Sequence, residues 1–171
     1  MMKKLFLLSL VALLFVACYS FRGISIPDGV ESAYIPIYLD NAIGAPPTLH
    51  QDMTEELRNK VRDEARLTIV ESNPDIQLEG TLVDFRVSAE GARPGDQTSA
   101  IAALNRLTIV VAISYTNLLD ESGEDKWKQN FSQFFDFPAS QTLASVQDEA
   151  IEEIVNDINE KIFNKAFAEE W

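Results

Sequence analysis

Apolar positions along the chain keep two rhythms. From Glu31 to Leu39 they alternate, with Ala33, Ile35, Ile37 and Leu39 on one side, which is the period of a half-buried strand. Pro36 has no N–H to give to a ladder, so this strand belongs at or near a sheet edge. After Ala45-Pro46-Pro47 the rhythm lengthens: Leu49, Met53, Leu57, Val61 and Ala65 form a stripe among charged residues, the pattern of a helix with one face on a core. Thr48 followed by Gln51 predicts a capping box at its start. Leu67 to Val70 reads as a short strand ended by the turn cluster Ser72-Asn73-Pro74-Asp75.

Ile76, Leu78, Gly80 and Leu82 then give way to Val83, Phe85 and Val87, a change of phase that predicts a bulge or a strong twist beside Gly80 in a long strand. The stretch from Glu90 to Ser99, with Gly91, Pro94 and Gly95, reads as an exposed loop. Leu107, Ile109, Val111, Ile113 and Tyr115 alternate within a segment that has β-branched residues on both faces, as a central strand does. A turn at 120–125 leads to its hairpin partner, Trp127 to Phe137, closed by Pro138. Ile151, Ile154, Val155, Ile158, Ile162 and Ala166 line a second helix, expected to start near Ser145 with Asp148 as capping partner. Strand, helix, four strands and helix make an α+β fold: a two-layer sandwich with two amphipathic helices on one face of a four- to five-stranded, mostly antiparallel sheet. No repeat, linker or low-complexity tract divides it.

The N-terminus stands apart. Lys3 and Lys4 precede an apolar run from Leu5 to Val16, and small Ala17 follows, the charged, apolar, small layout of a signal peptide over residues 1–17. A spanning helix would need roughly 20 apolar residues, and this run is shorter. Phe15-Val16-Ala17-Cys18 resembles a bacterial lipobox, which implies that Cys18, the chain's one cysteine, is acylated and becomes the new N-terminus. Each acyl CH₂ in lipid contributes about 0.8 kcal/mol and one chain binds only reversibly, so several chains on Cys18 would hold residues 18–171 to a membrane as a single periplasmic domain. Tyr19-Ser20-Phe21-Arg22 places no aspartate beside Cys18. By resemblance to lipoprotein sorting signals, that favours the outer membrane, periplasmic side.

Charge narrows the partners. Twenty-seven acidic side chains against 14 basic ones give a formal net charge of −13, which argues against nucleic acid, since phosphate neutralisation needs clustered Lys and Arg. One cysteine excludes an internal disulfide, and one histidine, His50, leaves little for a zinc site or a Ser-His-Asp triad. His50 reads as an exposed first-turn residue of the first helix, and no serine has the nucleophile-elbow context. Neither a catalytic residue nor a cofactor is expected. Glu121 to Asp125 offers carboxylates without EF-hand spacing and reads as a solvated turn. The row Trp127, Phe131, Phe135 and Phe137 reads as core or as a lipid or partner surface. Phe134, on the other face, shows that apolar groups also reach the sheet side away from the helices, where a partner could dock.

Several motifs together resemble the LptE family of lipopolysaccharide-assembly lipoproteins. Cys18-Tyr19-Ser20-Phe21-Arg22-Gly23 is similar to that family's opening, lacking only its glycine after the cysteine. Asn105-Arg106-Leu107-Thr108-Ile109-Val110-Val111 leads into a central strand, Phe134-Phe135-Asp136 closes the next, and an acidic amphipathic helix follows Leu143-Ala144. The resemblance implies a non-enzymatic outer-membrane protein that plugs the large LptD β-barrel and helps lipopolysaccharide reach the outer leaflet. Arg93 and Arg106 are its candidate contacts to lipopolysaccharide phosphates or to the partner. An auxiliary periplasmic lipoprotein of another lipid-transport or efflux machine is the alternative.

Overall fold

The structure, a computed structural model, describes residues 23–90 and 103–168. Its strands are β1 (Ser32–Tyr34), β2 (Leu39–Asp40), β3 (Thr68–Ile69), β4 (Ile76–Glu90), β5 (Leu104–Asn117) and β6 (Lys126–Pro138); its helices are α1 (Leu49–Asp63) and α2 (Leu143–Phe167). The strands form one six-stranded sheet in the order β3-β1-β4-β5-β6, with β2 also on β4. Two helices on one sheet is the expected α+β sandwich. The sheet is mixed, however, rather than mostly antiparallel: β1 pairs parallel with both β3 and β4, and β2 is parallel to β4. The physical reason is the connection, since α1 lies between β1 and β4 and carries the chain back to the end it started from, as a crossover between parallel neighbours must. Periodicity marks which face a residue takes and says nothing about strand direction.

The long β4-β5-β6 meander is antiparallel throughout. Leu107, Ile109, Val111, Ile113 and Tyr115 of β5 are all buried under the helices, as alternation predicts. Phe131 and Phe137 of β6 join that core, with Trp127 and Phe135 packed against it and the Trp127 ring stacked on Tyr115 at 5.4 Å. The aromatic row is therefore core. The ladder shifts register between Leu82 and Asp84, so the extra residue is Val83 and the bulge sits three positions beyond Gly80.

Gly80 has another role. The segment 31–39, expected as one alternating strand, breaks into β1 and β2: Ala33 and Ile35 are buried, but Ile37 and Leu39 are 52% and 65% exposed and Tyr38 turns inward. Its ring lies on Gly80, where a Cβ would fall 2.2 Å from Tyr38 Cδ1. Pro36 cannot donate to a ladder, and α1 takes up the backbone that leaves the sheet. Arg58 Nε donates to Ile35 O at 2.7 Å, and Tyr38 N–H donates to Thr54 Oγ1 at 3.0 Å. The Thr54 hydroxyl in turn donates to His50 O at 2.6 Å.

Both helices begin differently from the expected capping boxes. Thr48 makes no side-chain cap; its carbonyl accepts the N–H groups of Gln51 and Asp52, and Leu49 N–H bonds to Pro46 O. Helix α2 starts at Leu143, two residues before Ser145, and Ser145 donates its hydroxyl to Thr142 O. The stripes hold: Leu49, Met53, Leu57 and Val61 of α1 and Ile154, Val155, Ile158 and Ile162 of α2 are buried. Lys60 lies over the Phe163 ring at 5.4 Å. Asn159 Nδ2 donates to Met53 O at 3.2 Å. The helices thus run the same way, and their C-termini share one end of the sandwich.

Candidate partner interface

The helices cover one sheet face and leave the other open. On the open face the cross-strand register places Ser88, Arg106 and Asp136 in one row, and Arg86, Thr108 and Phe134 in the next. Arg106 Nε and Nη2 donate to Asp136 Oδ1 and Oδ2, each at 2.7 Å, the two-bond fork that a guanidinium makes with a carboxylate. Its plane sits 3.8 Å from the centre of the Phe134 ring, a cation–π stack on a side chain that is itself 45% exposed. Glu90 Oε1 comes within 3.8 Å of Arg106 Nε. The Arg106 hydrogen bonds hold the Asp136 carboxyl below the usual carboxylate range, and Asp136 in turn raises Arg106.

One cation between two carboxylates is not an anion hole. Asp136 occupies two of the three guanidinium nitrogens and offsets the charge that would draw a lipid phosphate to Arg106. What the cluster offers is a rigid, half-apolar platform: Phe134 and the guanidinium plane, locked by the fork. The neighbouring Arg86 is likewise tied, through Nη1, to Asp84. Cys18 and Arg93 lie outside the described residues.

A shallow groove of about 960 Å³ crosses the same face nearer the start of β4. Pro36, Ile37 and Leu39 wall one side, Ala112 and Ser114 give it a low floor, and Lys128 stands on the opposite wall. Its apolar wall exists because of the phase slip at Tyr38, which turns Ile37 and Leu39 outward. The only hint of this in the sequence is Pro36 in the middle of an otherwise regular alternation. Beyond Leu82, nothing among the described residues pairs with β4 on the β2 side. Exposed Val83, Val87 and the 94% exposed Ile43 lie around that part of the molecule.

The remaining candidates resolve into structural roles. His50 is in the first turn of α1 with Nδ1 4.0 Å from Asp40 Oδ2, and its ring is more covered than an exposed helix residue would be. No group of three His, Cys, Asp or Glu that could hold a metal occurs among the described residues. In the hairpin turn, the Asp120 carboxylate accepts N–H bonds from Asp125, Ser122 and Glu124 and the Ser122 hydroxyl. Those donors, Asp125 N–H first, push it down to about 2. Between the helices, burial and then the charge of Glu152 raise Glu56, with Lys60 opposing. Sequence reasoning missed the polar seam of Thr54 and Asn159, both buried between layers. The available signal was a polar residue at position 159, directly behind Ile158 on an apolar stripe.

Comparison with known proteins follows the same lines. A family model, LptE, described as lipopolysaccharide-assembly, matches residues 32–166. No curated protein matches the sequence. Among solved structures, a protein of Xanthomonas campestris is similar at TM-score 0.51 and 10% identity, covering 84% of this chain and 89% of its own. A hypothetical protein of Chlamydia trachomatis is similar at TM-score 0.50 and 7% identity, over 78% and 96%. A minor lipoprotein of Acinetobacter baumannii, at 9% identity over 80% and 91%, reaches 0.47. At such identities the first two show a shared fold alone.

Proposed function

The chain belongs to the LptE family of lipopolysaccharide assembly, and from that premise we propose that it is an outer-membrane lipoprotein that plugs and supports an LptD-type β-barrel while lipopolysaccharide passes to the outer leaflet. Residues 1–17 are removed as a signal peptide, Cys18 carries the acyl anchor, and residues 18–171 form one periplasmic domain. The observation that carries the reading is the family match over residues 32–166, which spans both helices and the whole meander. No helix among the described residues is long and apolar enough to cross a membrane; the proposed anchor, the lipid on Cys18, is supported by the lipobox-like Phe15-Val16-Ala17-Cys18.

The role is binding rather than catalysis. The open sheet face supplies the partner surface, with Phe134 and the Arg106–Asp136 fork as its centre and the groove beside Ile37 and Leu39 as its apolar extension. An uncovered sheet face that displays apolar groups is a common mark of an interface. Arg106 serves here as a protein contact, since Asp136 already neutralises it; Arg93 remains the candidate for a lipopolysaccharide phosphate. Depletion of the protein tests the function: loss of lipopolysaccharide from the cell surface is the expected result. Normal surface lipopolysaccharide with altered phospholipid traffic would contradict it and favour an auxiliary lipoprotein of another lipid-transport machine.

A further inference from the structure

The described chain begins where the helices end. Ile24 forms an antiparallel bridge with Ala168, and Ser25 N–H donates to Phe167 O at 2.7 Å. The chain then crosses that end of the sandwich to the β5–β6 turn, where Gly29 lies against Leu119, a Cβ there falling 3.7 Å from Leu119 Cδ1. Three large apolar side chains are exposed along this path: Ile24 at 43%, Leu118 at 51% and Leu119 at 46%. Cys18 lies five residues before Gly23. At no more than about 3.6 Å per residue, roughly 18 Å of chain separates it from this end. Strand β5 alone, 14 residues long at about 3.3 Å each, spans far more than that.

We propose that the end carrying Ile24, Leu118 and Leu119 is a membrane-contact surface, seated on the leaflet that holds the acyl chains of Cys18. The inference rests on the anchor reading of Cys18. A short tether keeps this end at high effective concentration beside the bilayer, so apolar contacts too weak to recruit the domain from solution suffice to orient it. The opposite end, with Ile43 and the Phe134 platform, is left clear of that contact and uncovered for the partner. Charge sets the lipid preference. Glu121 and Glu124 follow Leu119 in the same turn, while Asp120 is committed to backbone N–H groups and Asp125 Oδ2 to Asn117 Nδ2. The surface therefore favours zwitterionic over anionic lipid.

The test uses the full acylated protein in phosphatidylcholine vesicles, with a nitroxide on Leu119→Cys, on Leu118→Cys as a second position, and on Ile43→Cys as the far-end control. Cys18 is the only native cysteine, and lipid blocks it. Accessibility to lipid-soluble oxygen relative to a water-soluble nickel chelate is expected to rise severalfold at 118 and 119 and to stay aqueous at 43. Phosphatidylglycerol in the vesicles is expected to reduce the difference. Labels at 119 and 43 that are equally aqueous in a protein whose mass shows the lipid would overturn this inference and leave the anchor standing. Absence of lipid on Cys18 would overturn both.

Discussion

The Tyr38 ring packs against Gly80, and the two residues define how the N-terminal segment meets the sheet. A Cβ on residue 80 would overlap the ring at 2.2 to 2.6 Å from three of its atoms, and the ring is itself buried against the core and cannot swing away. Gly80→Ala is expected to destabilise the fold by about 1–3 kcal/mol, the cost of overpacking, measured by denaturant titration. Because Tyr38 also turns Ile37 and Leu39 outward, the same variant should blur the apolar wall of the groove.

The Tyr38 hydroxyl is buried and has no hydrogen-bond partner among the described residues, and burial pushes its pKa up. Removing an unpaired buried hydroxyl while keeping the ring is expected to leave stability unchanged or raise it by up to about 1 kcal/mol. Thermal denaturation of Tyr38→Phe checks this. A clear loss of stability would show that the hydroxyl is satisfied.

Thr54→Val keeps the shape and removes both hydrogen bonds of the Thr54 hydroxyl. Tyr38 N–H loses its acceptor inside the core, and leaving such a group unsatisfied costs about 1–3 kcal/mol. Hydrogen exchange at the Tyr38 amide is expected to accelerate in the variant, while amides of β5 stay protected.

Acid should weaken the fold through particular carboxylates. Asp75 accepts Glu31 N–H, Ser32 N–H and the Ser32 hydroxyl at 2.8 to 2.9 Å, pinning β1 to the turn before β4, and these bonds lower its pKa. Asp120 falls to about 2. Below the ordinary value of 3.8 the unfolded chain takes up protons that the native state refuses. The stability these groups contribute is thus complete above that value and is lost as pH falls through their folded values. Asp120→Asn is expected to flatten the fall in Tm between pH of about 4 and 2, and Asp75→Asn the fall that begins as pH drops below 3.8. Glu56 has the opposite sign: its raised pKa means that its ionised form disfavours the folded state. Glu56→Gln is expected to raise Tm at neutral pH, with the gain shrinking as the solution becomes acid enough to protonate the carboxyl.

Much of this architecture was legible because burial follows period. The stripes of α1 and α2 and the alternation of Leu107 to Tyr115 came through intact, and so did the outward turn of Phe134 beside inward Phe135 and Phe137. What was not legible depended on partners distant in sequence. Alternation carries no strand direction, so the parallel pairing of β1 and β2 with β4 could not be read. Pro36 marked a disturbance, but the inward turn of Tyr38 depends on Thr54 and Arg58 of α1 taking up the freed backbone. The change of phase predicts a bulge or a strong twist beside Gly80; the bulge falls at Val83, and Gly80 itself makes room for a ring. Arg106 was visible as a cation; its neutralisation by Asp136 depends on a register set by the whole hairpin.

The most direct measurement of the proposed role is purification of the acylated protein from detergent-solubilised outer membranes through a C-terminal tag, alongside a Phe134→Glu variant. An LptD-type barrel is expected to copurify in comparable amount with the unchanged protein and to be depleted with the variant, which places a charge on an exposed position and leaves the core intact. Acylated, folded protein eluting as a clean monomer with no barrel would contradict the account.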